Sequence, residues 1–312
     1  MFNEIIKNIK KGCFDDASCE FKNLSDEEQE KIIIYEIGNS FDISSYAFTN
    51  YLTYKNINIS VTQNFSQILC FWIFNYLEGS TAAAYSHVLS MLEKDPTNFD
   101  LLELQPCLYE IPNEVFSPAE MYQMCKQVLA LDPTSDMARS RKRRTKHAAN
   151  EPIIEVGEGL EGIEKTKALI EKGRFSKAIA NLSTHSWNDL IESLRQFAVD
   201  GNLFAYAFVW ELIRRNETAE LHLLGAEFFS KQYLPFLTLN NFSGKEAIIF
   251  FHTHRAAELE PDNLEIQEHL LSLYEPGNES FDLDETKALV EHVLNMNPES
   301  AQGLRVQKLL SS

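Results

Sequence analysis

The chain has 312 residues, with 46 Asp and Glu against 28 Lys and Arg, a formal charge of −18 and a pI near 4.9. Hydrophobic residues make up 44% and aromatics 11%, enough for a folded core and too much for a disordered chain. The acidic balance excludes broad binding to nucleic acid or to an anionic membrane, whose phosphates it repels, and leaves a basic protein as the expected partner.

In chain order the expected elements are helices. The opening Met1-Phe2-Asn3-Glu4-Ile5-Ile6-Lys7 carries charges inside its first apolar stretch, which predicts no secretory signal. Ser25 with Glu28 reads as a capping box, in which a hydroxyl and a carboxylate three residues on satisfy orphan backbone donors at a helix start. Residues 57–62 are the one short stretch of extended character. Residues 65–77, FSQILCFWIFNYL, form the most apolar run. Ser66, Gln67 and Asn75 interrupt it, and it is far shorter than the ~20 residues of a membrane span, so a buried helix is expected.

Ser117 with Glu120 is a second capping box, with Pro118 suited to the first turn. Helical spacing puts Trp187, Leu190, Ile191, Leu194 and Ala198 on one stripe. Ser243 with Glu246, and Asp282 with Glu285, mark two further starts. Leu283, Ala288, Leu289, Val293 and Met296 form a second stripe. No Asn-Gly or Asp-Gly hairpin stands between alternating strand patterns. The fold class predicted is all-α. The five cysteines, Cys13, Cys19, Cys70, Cys107 and Cys125, are odd in number and form no C-x-x-C pair. They predict free thiols in a reducing compartment, and hence a cytoplasmic protein.

The chain is written twice. Residues 82–135 align without gaps on 247–300 at an offset of 165, with 17 identities in 54 positions, where chance gives roughly three. Tyr109-Glu110 falls on Tyr274-Glu275, Asn113-Glu114 on Asn278-Glu279, His87 on His252 and Pro133 on Pro298. Upstream the offset shrinks: Lys11-Gly12-Cys13-Phe14 matches Lys172-Gly173-Arg174-Phe175, and Tyr46-Ala47-Phe48 matches Tyr206-Ala207-Phe208. The organisation expected is a first unit at 1–138, a linker at 139–160 and a second unit at 161–312. The linker contains the basic run Arg139–Lys146, read as a solvated, protease-sensitive stretch.

Four helix ends repeat one ending: Asp95-Pro96-Thr97-Asn98, Asp132-Pro133-Thr134-Ser135, Glu260-Pro261-Asp262-Asn263 and Asn297-Pro298-Glu299-Ser300. Pro stops the incoming helix and suits the first turn of the outgoing one. With a Pro-to-Pro spacing of 37 in both copies, and Ala84 and Ala256 upstream, the pattern resembles the inter-repeat turn of tetratricopeptide (TPR) repeats. The resemblance covers about half the chain and implies stacked antiparallel helix hairpins. Gly38-Asn39-Ser40-Phe41-Asp42, Tyr46–Leu52 and Tyr109-Glu110-Ile111-Pro112 also resemble small helical proteins of Bacillus-type bacteria. Some of these act as immunity proteins to secreted toxins, and that resemblance implies a toxin inhibitor.

No nucleotide-binding loop, nucleophile elbow or H-E-x-x-H pattern occurs, so no enzyme, cofactor or metal is expected. His252 and His254 diverge by ~200° on a helix and cannot chelate one metal from one face. His87 reads as a packed helix residue. The matched acids Glu110, Glu114, Glu275 and Glu279 beside Tyr109 and Tyr274 read first as turn and capping residues, then as partner contacts, then as acid–base groups. Trp187, Trp210, Tyr233 and Phe236 read first as core packing, with a docking groove as the alternative, since aromatics anchor interfaces. The expected function is a protein-binding module, most specifically an inhibitor of a basic nuclease-type toxin; the alternative is a cytoplasmic adaptor that binds peptides in a TPR-like groove.

Overall fold

In a computed structural model the described residues are 2–74, 77–109, 115–182, 186–230, 243–278 and 280–311. Among them the chain is all-helical without a strand; a parallel bridge joins Asp42 and Ser243.

The chain divides into two compact units, and neither coincides with a sequence copy. The first unit holds residues 1–54 with 212–312, and the second holds 55–211. Each unit joins the N-terminal part of one copy to the C-terminal part of the other, which differs from the expected division at 138 and 161. The cause lies in where the apolar faces find their cover. In the first unit Phe14 stacks on Phe251 with ring centroids 4.5 Å apart, and Tyr51 meets the same ring edge-on at 5.4 Å. Gly12 has φ +80°, and a Cβ there would collide with the Ala247 carbonyl oxygen. In the second unit the matched Gly173, at φ +67°, faces the carbonyl of the matched Ala82 in the same way. Phe175 meets Phe208 at 5.1 Å in the second unit, as Phe14 meets Phe48 at 5.4 Å in the first. The duplicated sequence is thus used for equivalent packing in each unit.

The four Pro endings close one kind of turn. The N–H of Asn98, Ser135, Asn263 and Ser300 donates to the carbonyl of the residue before Pro, at 3.2, 3.3, 3.1 and 3.0 Å. The same residue then caps the next helix, its side-chain oxygen accepting from the N–H of Leu101, Ala138, Ile266 or Gly303. Pro therefore occupies the second position of a β-turn, where its fixed φ fits, and not the first turn of the outgoing helix. In the first unit these turns join Lys245–Leu259 to Leu264–Ser272 and Leu283–Met296 to Ala301–Leu310. Two apolar clusters fill that region, one around Phe250, Ala256, Ile266 and Leu270, the other around Leu271, Val290, Val293 and Val306.

Several elements differ from the sequence reading. Residues 57–62 are not extended: Ile59–Ile68 is helix, entered from Asn58 in the left-handed region. The apolar run continues into the π-turn Leu69–Ile73, which buries Leu69, Cys70 and Phe71 but leaves Trp72 64% exposed. Ser243 does not cap its helix; it is committed to the bridge with Asp42, and Gly244 at φ +87° is the cap. Asp282 caps Leu283–Met296 by accepting from Asp284 and Glu285. On that helix Leu283 and Ala288 are exposed, and the buried positions are Thr286, Val290 and Val293. Trp187, placed on a buried stripe by spacing, is exposed at a helix start.

The basic run is not a coil. Asp136–Arg144 is a helix with Ala138 buried, Thr145 is buried behind it, and Lys142 Nζ lies 5.6 Å from the Tyr122 ring centre. Between Ala148 and Gly162 the chain is irregular. The five cysteines are free thiols. No helix of the described residues is long and apolar enough to cross a membrane.

Candidate functional site

Of the residues singled out from the sequence, Tyr109, Trp187, Trp210, Tyr274 and Glu275 lie among the described residues. Trp210 and Tyr109 belong to the core of the second unit at 2% and 7% exposure; Trp210 lies edge-on to Tyr206. Burial, which spacing alone does not reveal, removes both from any docking surface. Trp187 is exposed in the same unit. In the first unit Tyr274 packs its ring against Phe281 at 5.4 Å, and the exposed Glu275 faces Arg305 at 3.5 Å. Arg305 also donates to the carbonyls of Leu271 and Tyr274, so Glu275 belongs to a helix-end cap. Glu110, Glu114, Tyr233, Phe236 and Glu279 lie outside the described residues.

A matched groove recurs in the two units. In the first it encloses about 570 Å³ beside Lys7, Lys10, Lys11, Glu246, Ala247, Asn278 and Ser280. In the second it encloses about 360 Å³ beside Glu78, Thr81, Ala82, Val115, Glu171, Lys172 and Asp200. Lys10-Lys11 matches Glu171-Lys172, and Glu246-Ala247 matches Thr81-Ala82. The described neighbours of the paired turn acids, Val115, Asn278 and Ser280, line these grooves. The charge at these matched positions differs: three lysines and one carboxylate, Glu246, in the first unit, three carboxylates and one lysine in the second.

The acid excess is uneven too. The first unit carries 26 Asp and Glu against 13 Lys and Arg, the second 20 against 15. Residues 258–299 alone hold 12 carboxylates and one cation, Lys287, where the matched residues 93–134 hold eight and two lysines. Ten of the 11 among the described residues are exposed, including Glu265, Asp284, Glu291 and Glu299. Helix packing turns the apolar faces inward and leaves this stretch as a negatively charged surface.

A buried polar cluster was missed by the sequence reading. His222 Nδ1 lies 2.9 Å from His252 Nδ1, and His222 Nε2 lies 3.1 Å from Glu217 Oε1. Arg255 clamps Glu217 with two N–H bonds of 2.8 and 3.0 Å, and the Tyr54 hydroxyl donates to Glu217 at 2.8 Å. These contacts hold the Glu217 carboxyl far below the usual carboxylate range despite partial burial. Burial lowers His222, with Glu217 opposing, and lowers His252 further. His252 is fully buried and His254 half-exposed near Glu258, as their opposed directions on the helix require. Spacing within one chain segment could not reveal a partner 30 residues away. Among the described residues no group of three or more His, Cys, Asp and Glu is arranged to hold a metal ion.

In the second unit, Arg174 lies over the Tyr85 ring, 4.6 Å from its centre, and pairs with Glu120 at 2.9 Å. Glu120 also completes the Ser117 capping box, so one carboxylate serves a helix start and an ion pair. Cys13 occupies the Arg174 position in the first unit.

No family model, no curated protein and no solved structure matches the chain.

Proposed function

We propose that this chain is a protein-binding module for a basic partner, docked on the acidic surface of residues 258–299. The observation that carries the reading is that surface: ten exposed carboxylates with a single lysine among them. Such a field raises the encounter rate of a cationic protein and disfavours acidic competitors. The hairpins beneath it, joined by Pro turns, support a TPR-like stack as the scaffold. The most specific form of the reading is neutralisation of a basic nuclease-type toxin, because covering a phosphate-binding surface needs negative charge; the resemblance to immunity proteins supports it.

The test is affinity capture from the native host, with a variant carrying Glu265→Lys, Asp284→Lys, Glu291→Lys and Glu299→Lys in parallel. The expected result is one basic protein held stoichiometrically by the natural chain, lost by the variant, and silenced in its own activity when bound. Equal retention by the variant, or a partner of acidic character, would sink the reading.

The lysine-lined groove of the first unit favours a second reading, an adaptor that takes an acidic peptide there. Lys7→Glu with Lys10→Glu would abolish binding on that reading and leave it intact on the first.

A further inference from the structure

We propose that Glu217, His222 and His252 form an acid-sensitive latch inside the first unit. The latch holds the helices Ala219–Glu227 and Lys245–Leu259 together near neutral pH and lets them part when the histidine pair takes up protons.

The proton inventory follows from the geometry. A carboxylate only accepts, so His222 Nε2 donates to Glu217 across 3.1 Å. In the neutral ring Nδ1 is then an acceptor, and His252 donates to it from its own Nδ1 across 2.9 Å. One proton fills the space between the two Nδ1 atoms. A further proton makes one ring cationic at a place where the side chains are 1% and 0% exposed. Among the described residues the carboxylates that act on the pair are Glu217 and Glu258, and Arg255 bonds both.

The charged and titratable groups around the pair come from every neighbouring element. Glu217 precedes the first helix, and Arg255 and Glu258 stand on the second, joined at 2.8 Å. The Tyr54 hydroxyl comes from Ser44–Tyr54. None offers the pair an uncommitted carboxylate. The helices are also close here: a Cβ on Gly225 would sit 2.7 Å from His252 Cε1. Protonation of the folded pair is therefore disfavoured. Both rings lie below the ordinary histidine value of 6.5, chiefly through burial, whereas the opened state takes up protons at that value. The contribution is intact above 6.5 and is lost as pH falls toward the lowered folded values.

The matched positions of the second unit do not carry this set of residues. Thr62 stands at the position of His222, Ile57 at that of Glu217 and Ser90 at that of Arg255, while His87 matches His252.

The test is hydrogen exchange of the full chain at pH 7.5 and 5.5, corrected for intrinsic exchange rates. The natural chain should lose up to about a hundredfold protection across 219–227 and 245–259 on acidification, since each of the two histidines contributes about tenfold over this range. His222→Thr, the matched residue, and His222→Gln should flatten that response. His252 and His269, both also lowered by burial, remain in every variant, so the difference isolates the part played by His222. Should both variants fail to fold, nitrogen spectra of the natural chain decide: the expected state at pH 7 is a neutral pair, Nε2–H on His222 and Nδ1–H on His252. A cationic ring at pH 7, unchanged protection at pH 5.5, or an equal loss in the variants would overturn the latch.

Discussion

A cut between Ile154 and Glu155 probes how the copies are combined. This stretch is irregular, and Ile153 and Ile154 are 48% and 64% exposed, so an inserted protease site there is accessible and costs little folding energy. The cut yields fragments 1–154 and 155–312. The first unit needs residues from both, and so does the second. Across the cut the first unit buries the Phe14, Tyr51 and Phe251 rings against one another, at roughly 2 kcal/mol each or on the order of 6 kcal/mol. The second contributes the Arg174–Glu120 pair and a hydrogen bond from Leu203 N–H to the Glu78 carbonyl at 2.8 Å. Because both units tie the same two fragments, each raises the effective concentration for the other. The cleaved protein should co-elute as one species at micromolar concentration and separate only in denaturant. Two fragments eluting apart, each folded and monomeric, would refute the composite units and favour copies that fold independently.

Three further predictions rest on local geometry. Gly12→Ala and Gly173→Ala should each lower stability by about 2–4 kcal/mol in urea titrations, through a carbonyl collision and left-handed backbone. Gly159→Ala, with φ +79° and open space around it, should cost only about 1 kcal/mol; equal losses would refute the close approach. Burial pushes His87 down to about 4. As pH falls from 6.5 to 4 it should therefore cost the second unit about 3 kcal/mol, a slope that His87→Gln removes. Arg174→Ala should cost about 2–3 kcal/mol, because it strands Glu120, at 16% exposure, and uncovers Tyr85. Arg174→Lys should recover part of this loss, and no measurable loss in either would show the pair to be idle.

Local chemistry was legible in the sequence where one segment decides its own structure. The helix starts at Ser25 and Ser117 and the four Pro turns depend on residues within three or four positions, and each forms as hydrogen bonds of that span. The repeat was legible because matched residues were retained, and Gly12 and Gly173 show what they were retained for. The stripes failed by rotation on Leu283–Met296, where spacing specifies a period and not which side the neighbours occupy. Trp187 and Trp210 read alike as aromatics, yet one is exposed and the other buried.

The sequence by itself determined the all-α class, the self-similarity between its halves and the acidic balance, since these follow from composition, local spacing and self-comparison. Only the tertiary structure decided which halves combine, where the matched grooves lie and that His222 meets His252. Those outcomes depend on contacts between distant segments, and a duplicated chain offers each apolar face two nearly equivalent partners. Local propensity cannot choose between them. Packing chose the partner from the other copy, as Phe14 on Phe251 and Gly173 on Ala82 record.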